Sequence, residues 1–222
     1  MPIKKLVIKV SSTAEQEMLL EEITARVKST TIRIQSRLNT IEIYIYGTKD
    51  MIRAAESEIR EIVKYVRGML TRDFRGLYTY PISHVLSRAG LRVAIPVDLL
   101  IQVLEVKGYR AKIEGGSIRT DATVDVVQDL ARKISEVYYN LSTSNLAPTA
   151  KKLVAYYILA KNYSVEEVDR AVKELSELGL LKEVELPNGE VRVILGKELS
   201  SAISTVRELI HGKVSSEGSG KE

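Results

Sequence analysis

The chain has 222 residues, 45 % of them hydrophobic, with 33 Lys and Arg against 29 Asp and Glu, a formal charge of +4. It holds no cysteine and two histidines, His84 and His211. That excludes a disulfide framework, a thiolate nucleophile and a cysteine-bound zinc, and it supplies a histidine metal site or a His-dependent triad poorly.

The first third reads as β-α-β-β-α. Lys4 to Val10 alternates, with Leu6, Ile8 and Val10 on one face and Lys5, Val7 and Lys9 on the other. Ser12 or Thr13 caps a helix that runs to about Lys28, with acids in its first turn. Thr31 to Ser36 and Thr40 to Tyr46 alternate around a Leu38-Asn39 turn. A second helix is expected from Thr48 or Asp50 to about Met69.

The linking stretch from Thr71 to Gly90 carries Gly76 to Tyr80 as a short strand and a Pro81-led short helix. That strand either closes the first unit in ferredoxin-like order or joins the next sheet. The middle third then repeats the order. Leu91 to Ile95 reads as a strand, and Pro96 opens a helix that ends at Gly108. Tyr109 to Ile113 and Ser117 to Thr120 flank a Gly115-Gly116 turn. Asp121 or Thr123 caps a helix to about Tyr139.

A polar break at Leu141 to Asn145 and Pro148 open the last part. A helix over Thr149 to Lys161 is followed by a Ser164/Glu167 capping box and a helix ended by Gly179. Leu180 to Leu186 and Glu190 to Leu195 form a hairpin, and a last helix spans Lys197 to about Ile210. The expected class is therefore α+β. Two β-α-β-β-α units, ferredoxin-like or KH-like, occupy 1–72 and 73–142, a third domain occupies 146–212, and 213–222 is a disordered tail by composition.

Charge is uneven along the chain. From Lys64 to Arg119 ten bases face four acids, a surplus of six, while the remaining 23 bases and 25 acids leave −2. Tyr65, Phe74, Tyr78, Tyr80 and Tyr109 are interleaved with this basic stretch. Bases release counterions from a phosphate backbone and aromatic faces stack on unpaired bases, so the combination points to RNA. Arg72, Arg75, Arg88, Arg92, Arg110, Lys112 and Arg119 are expected to hold phosphates. Tyr44, Tyr46, Phe74, Tyr78 and Tyr80 are expected to stack on bases or ribose.

The two-residue period sharpens this. The face of the first sheet away from its helices should present Lys5, Lys9, Arg33, Gln35, Arg37, Glu42, Tyr44 and Tyr46. Non-catalytic binding to RNA, such as the structured RNA of the ribosome, is the leading expectation. The alternative is an assembly module whose open sheet faces are buried between units or in an oligomer.

No assembled nucleophile, metal set or acid–base pair is legible, so neither catalysis nor a cofactor is expected. Gly115-Gly116 lacks the spacing of a nucleotide loop, and no Gly-x-x-Gly clamp lies between helices. No run approaches the ~20 apolar residues of a membrane span, and the basic N-terminus lacks a signal-peptide core. A cytoplasmic protein without membrane contact is the expectation. Plentiful Ile, Val, Glu, Lys and Arg suit a heat-adapted chain.

Val168 to Leu195, VDRAVKELSELGLLKEVELPNGEVRVIL, resembles the recognition helix and wing of a winged helix. It departs from that pattern by having one clear helix ahead of Ser164 and by the acids Glu166, Glu167, Asp169, Glu174 and Glu177. A phosphate-facing helix should carry the opposite sign. The resemblance therefore implies protein recruitment or self-association through this domain. Arg72 to Pro96, RDFRGLYTYPISHVLSRAGLRVAIP, together with the overall layout, resembles an archaeal family known as a domain of unknown function. That resemblance implies an archaeal, cytoplasmic protein.

Overall fold

The computed structural model describes residues 2–187 and 189–217, with side chains to residue 212. The chain is α+β and divides into two compact units, Met1–Thr79 and Tyr80–Glu222.

The first unit holds β1 (Ile3–Lys9), α1 (Thr13–Arg26), β2 (Thr31–Arg37), β3 (Thr40–Tyr46) and α2 (Lys49–Leu70). The sheet order is β1-β3-β2, antiparallel throughout, with β1 and β2 at the edges. Alternation decides which side is covered: Ile41, Ile43 and Ile45 are fully buried under the helices. Leu19 and Ile23 of α1 and Ile52, Ala55, Ile59, Ile62 and Val66 of α2 complete this core. Ser12 caps α1 through its hydroxyl, which accepts from the Glu15 N–H at 3.1 Å, and Thr48 caps α2.

The second sheet is built from β4 (Tyr78–Pro81), β5 (Ala111–Glu114) and β6 (Ser117–Thr120) in the order β4-β6-β5. Around it lie α3 (Ile82–Arg88), α4 (Val97–Val106) and α5 (Val124–Asn140). The strand near Tyr78 thus joins the second sheet. The first unit remains β-α-β-β-α and the ferredoxin-like closure is not made.

The strand expected over Leu91 to Ile95 does not form. The buried Ser135 of α5 takes over its backbone. Its hydroxyl accepts from the N–H groups of Arg92 and Val93 and donates to the Val93 carbonyl, each at 2.9 Å. With those groups satisfied by a side chain, and Pro96 unable to donate, no ladder is needed here. The second β-α-β-β-α order is replaced by β-α-α-β-β-α. The hairpin turn falls as expected: Gly115 and Gly116 have φ of 57° and 74°, the left-handed pair a two-residue turn requires.

Next come α6 (Pro148–Ala160), α7 (Val168–Glu177), β7 (Leu181–Glu185), β8 (Val191–Leu195) and α8 (Leu199–Glu217). Helix α6 is buried almost all round, from Ala150 to Ala160, and packs on α4, α5, α7 and α8. Leu146, between α5 and α6, forms a parallel bridge to Val193 of β8. Glu174 ties α7 to α6. Its carboxylate accepts from Tyr157 at 2.6 Å, Tyr163 at 3.0 Å and Arg170 at 3.1 Å. Helix α8 continues through Gly212 to Glu217, beyond the expected end near Ile210. The rest of the expected tail, 218–222, lies outside the described residues.

Candidate nucleic-acid interface

The open face of the first sheet is set by register. Its rows are Ile3-Tyr46-Thr31, Lys5-Tyr44-Arg33, Val7-Glu42-Gln35 and Lys9-Thr40-Arg37. Lys5, Lys9, Arg33 and Arg37 are exposed, and Tyr44 and Tyr46 stand partly exposed on the central strand. Ile3 and Val7 are 59 % and 55 % exposed on the same face. Four bases therefore meet a single carboxylate, Glu42.

Glu42 is well engaged. Lys5 Nζ lies 3.0 Å from it and the Tyr44 hydroxyl donates to it at 3.0 Å. The Lys5 ammonium, and then the Tyr44 hydroxyl, hold the Glu42 carboxyl below its ordinary range. Lys5 also lies 5.4 Å from the Tyr44 ring centroid, so this ring already serves a cation.

A second feature is the loop after α2. Asp73 organises it: its carboxylate accepts from the N–H groups of Arg75 and Leu77, each at 2.9 Å. The Asp73 N–H donates to the Leu77 carbonyl at 2.8 Å, and Gly76 takes φ 75° to close the turn. This leaves Phe74 92 % exposed at the tip, with the Arg75 guanidinium 5.2 Å from its ring. Arg72 lies 5.1 Å from the Tyr78 ring. Asp73, one of the four acids in the basic stretch, is a backbone anchor here.

The other expected contacts are placed differently. Tyr80 is 1 % exposed and its hydroxyl donates to the Ala122 carbonyl at 3.1 Å. It is a core residue and has no face to offer a base, because the inward half of β4's alternation carries it into the second unit's interior. Arg110, Lys112 and Arg119 share the β5–β6 hairpin but are held by acids. Arg110 Nε meets Asp121 at 3.0 Å, and Lys112 and Arg119 meet Glu114 at 2.7 and 3.1 Å. The Arg119 side chain is 18 % exposed. Lys112, and then Arg119, hold the Glu114 carboxyl below its usual range. Burial pushes the Asp121 carboxyl upward, but hydrogen bonds from Arg110 outweigh it and lower the net value.

Arg92 lies over Tyr139 at 5.4 Å, and Arg88 closes α3. Arg72, Phe74, Arg75 and Tyr78 thus form one group in the first unit, Tyr44 and Tyr46 another, and the hairpin bases a third in the second unit. Sequence reasoning missed Ile3 as part of the open face, because the strand was begun one residue late. The period-two pattern through Lys5 and Val7 carries the signal for it.

Residues 8–210 match the family described as "Uncharacterized protein conserved in archaea (DUF2067)". The chain belongs to that family. It is 25 % identical over 178 residues to "Uncharacterized protein MJ0388" of Methanocaldococcus jannaschii, covering 79 % of this chain and 80 % of that protein. No solved structure matches. Among the described residues, no helix is long and apolar enough to cross a membrane.

Proposed function

We propose that this protein binds RNA without transforming it, through the open face of the first sheet and the Phe74 loop. The observation that carries the reading is the face itself: Lys5, Lys9, Arg33 and Arg37 surround Tyr44 and Tyr46 with Glu42 as the sole acid among them. Such a surface tracks phosphates by charge and offers aromatic faces for unpaired bases, each worth about 1–3 kcal/mol. The Phe74 tip adds an exposed aromatic ring with the Arg75 guanidinium beside it.

The β-α-α-β-β-α order of the second unit is compatible with a KH-like module. Its α3–α4 connection holds Gly90 alone, without a Gly-x-x-Gly clamp, so the reading rests on the first unit. The C-terminal elements support a winged-helix-like, protein-contacting role in the same molecule. Helix α5 packs on α6 ahead of α7, a two-stranded hairpin follows α7, and α7 carries exposed acids at Asp169 and Glu177.

The test is fluorescence anisotropy with a labelled single-stranded RNA and a labelled RNA hairpin at several salt concentrations. Affinity should fall steeply with salt, by a log–log slope of about −0.7 for each phosphate neutralised on a single strand. The double variant R33E/R37E should weaken binding at least tenfold. Absence of binding to both RNAs at about 50 mM salt would sink the proposal.

A further inference from the structure

The edge of the first sheet carries a second surface, which shares Lys5 and Lys9 with the open face but is built on the backbone of β1 and on a groove on the helix side. The pattern of β1 hydrogen bonds assigns its backbone groups. Gly47 N–H donates to the Pro2 carbonyl and Val10 N–H to the Asn39 carbonyl. In an antiparallel ladder, alternate residues exchange bonds with the partner strand and those between point away. Lys4, Leu6 and Ile8 therefore bond to β3, while the N–H and C=O groups of Ile3, Lys5 and Val7 face outward from the edge. The outward Lys9 carbonyl fits this pattern, since it accepts from Arg67 Nη2 at 2.8 Å.

Beside this edge runs a groove of about 700 Å³ between β1 and α2. Leu6, Ile8, Ile59 and Val63 make its floor, and Lys64 and Arg67 stand at its rim. It occupies the side of β1 on which a fourth strand would have closed a ferredoxin-like sheet. That strand went to the other unit.

We propose that the β1 edge takes up an extended, acidic segment of a partner protein as an added strand. Its apolar residues, at every second position, enter the groove over Leu6, Ile8, Ile59 and Val63. Backbone bonds to Ile3, Lys5 and Val7 supply the ladder, which is how exposed sheet edges capture peptides. Charge selects the occupant. Lys5 and Lys9 stand along the strand and Lys64 on the helix rim, whereas Glu56 is engaged by Lys4 at 3.7 Å and Arg60 at 2.8 Å. A second copy of the chain fits badly, because β1 against β1 sets its lysines against one another, and like charges directly opposite destabilise a strand pair.

The experiment uses the full ¹⁵N-labelled chain and a heptapeptide alternating glutamate with valine, with a lysine–valine heptapeptide as control. The acidic peptide should shift the amide signals of Ile3, Lys5 and Val7, and the basic one should leave them in place. Val7→Pro deletes one outward N–H and no bond to β3, so the fold should persist, as edge prolines allow. It should weaken peptide binding at least tenfold. Val63→Glu, at the groove floor, should do the same. No binding of the acidic peptide at about 1 mM would overturn the proposal. So would equal affinity for Val7→Pro, or a dimer of the free protein that Val7→Pro dissociates. Salt-dependent RNA binding that survives in Val63→Glu, on the helix side of the sheet, is the expected companion result, which keeps the two surfaces distinguishable.

Discussion

Ser135 and Val93 hold each other through both backbone groups of the valine: the serine hydroxyl accepts from the N–H and donates to the C=O at 2.9 Å. The same oxygen accepts from Arg92 N–H. One side chain on α5 thereby fixes the segment that joins α3 to α4. Ser135→Ala would leave three backbone groups of that segment without this partner at a part-buried position. The expected cost is about 2–4 kcal/mol, from about 1–3 kcal/mol for each buried group left unsatisfied and partial relief by water. Urea unfolding of the variant reads it, and a change within error of zero would refute the assignment.

The Glu15 carboxylate is buried at 4 % exposure and serves α1, the β1–α1 turn and α2 together. It accepts from Ser11 N–H at 2.8 Å, the Ser11 hydroxyl at 2.5 Å and Arg67 Nε at 2.9 Å. Burial pushes its pKa up, but the bonds from Ser11 and Arg67 outweigh this and leave it below the ordinary 4.5. A carboxyl lowered on folding stabilises fully above its unfolded pKa and loses that contribution as pH falls through the folded value. Stability should therefore drop below about pH 4.5. Glu15→Gln should be less stable at pH 7 by about 1–3 kcal/mol. The gap between it and the natural protein should narrow as acid is added. A gap of constant size from pH 7 to pH 3 would contradict the role given to Arg67 and Ser11.

Gly196 lies where the chain leaves β8, and its N–H donates to the Leu180 carbonyl at 2.9 Å. A Cβ built there runs into the carbonyl oxygen of Gly179, a backbone atom that has no rotamer by which to move aside. Gly196→Ala should cost about 1–3 kcal/mol through overpacking. It should loosen the β7–β8 hairpin before the rest of the second unit. Hydrogen exchange at Leu181 to Glu185 follows this directly, and protection equal to that of the natural protein would count against it.

Phe74 and Tyr80 separate binding from stability. Phe74→Ala removes a ring that is 92 % exposed, so its effect on unfolding should stay within about 0.5 kcal/mol. Its RNA affinity should fall by about 1–3 kcal/mol, the scale of one stacked base. Tyr80→Phe deletes a buried hydroxyl bonded to Ala122 and should cost about 1 kcal/mol of stability while leaving RNA affinity unchanged. Paired thermal melts and anisotropy titrations distinguish the two, and the opposite pattern would exchange their roles.

Much of this was legible along the chain. The first unit's strands, its helices and its open face follow from a strict period of two beside a period of 3.6, because one slipped residue would carry Ile41, Ile43 and Ile45 into solvent. Local chemistry also marked the Gly115-Gly116 turn, whereas at the expected Ser164/Glu167 box the Ser164 N–H donates to the Glu167 carboxylate at 2.8 Å but α7 begins only at Val168, with Glu167 as its N-cap. The candidate site was legible only in part. Tyr44 and Tyr46 stand where alternation put them, whereas Tyr80 turned inward and Arg110, Lys112 and Arg119 met carboxylates on their own hairpin. A charge count along the chain carries sign but no distance, so it cannot tell a base that awaits a phosphate from one already paired.

By itself the sequence determined the α+β class, the element types of the first unit and which face of its sheet is apolar, because those depend on neighbours two to four residues apart. The tertiary structure alone decided three matters. It gave the strand at Tyr78–Pro81 to the second sheet, kept Leu91 to Ile95 out of any sheet, and left β1 as an edge. Each is a competition among partners distant in the chain for the same backbone hydrogen bonds. Ser135, some forty residues from Val93, wins one of them in a way no local pattern records.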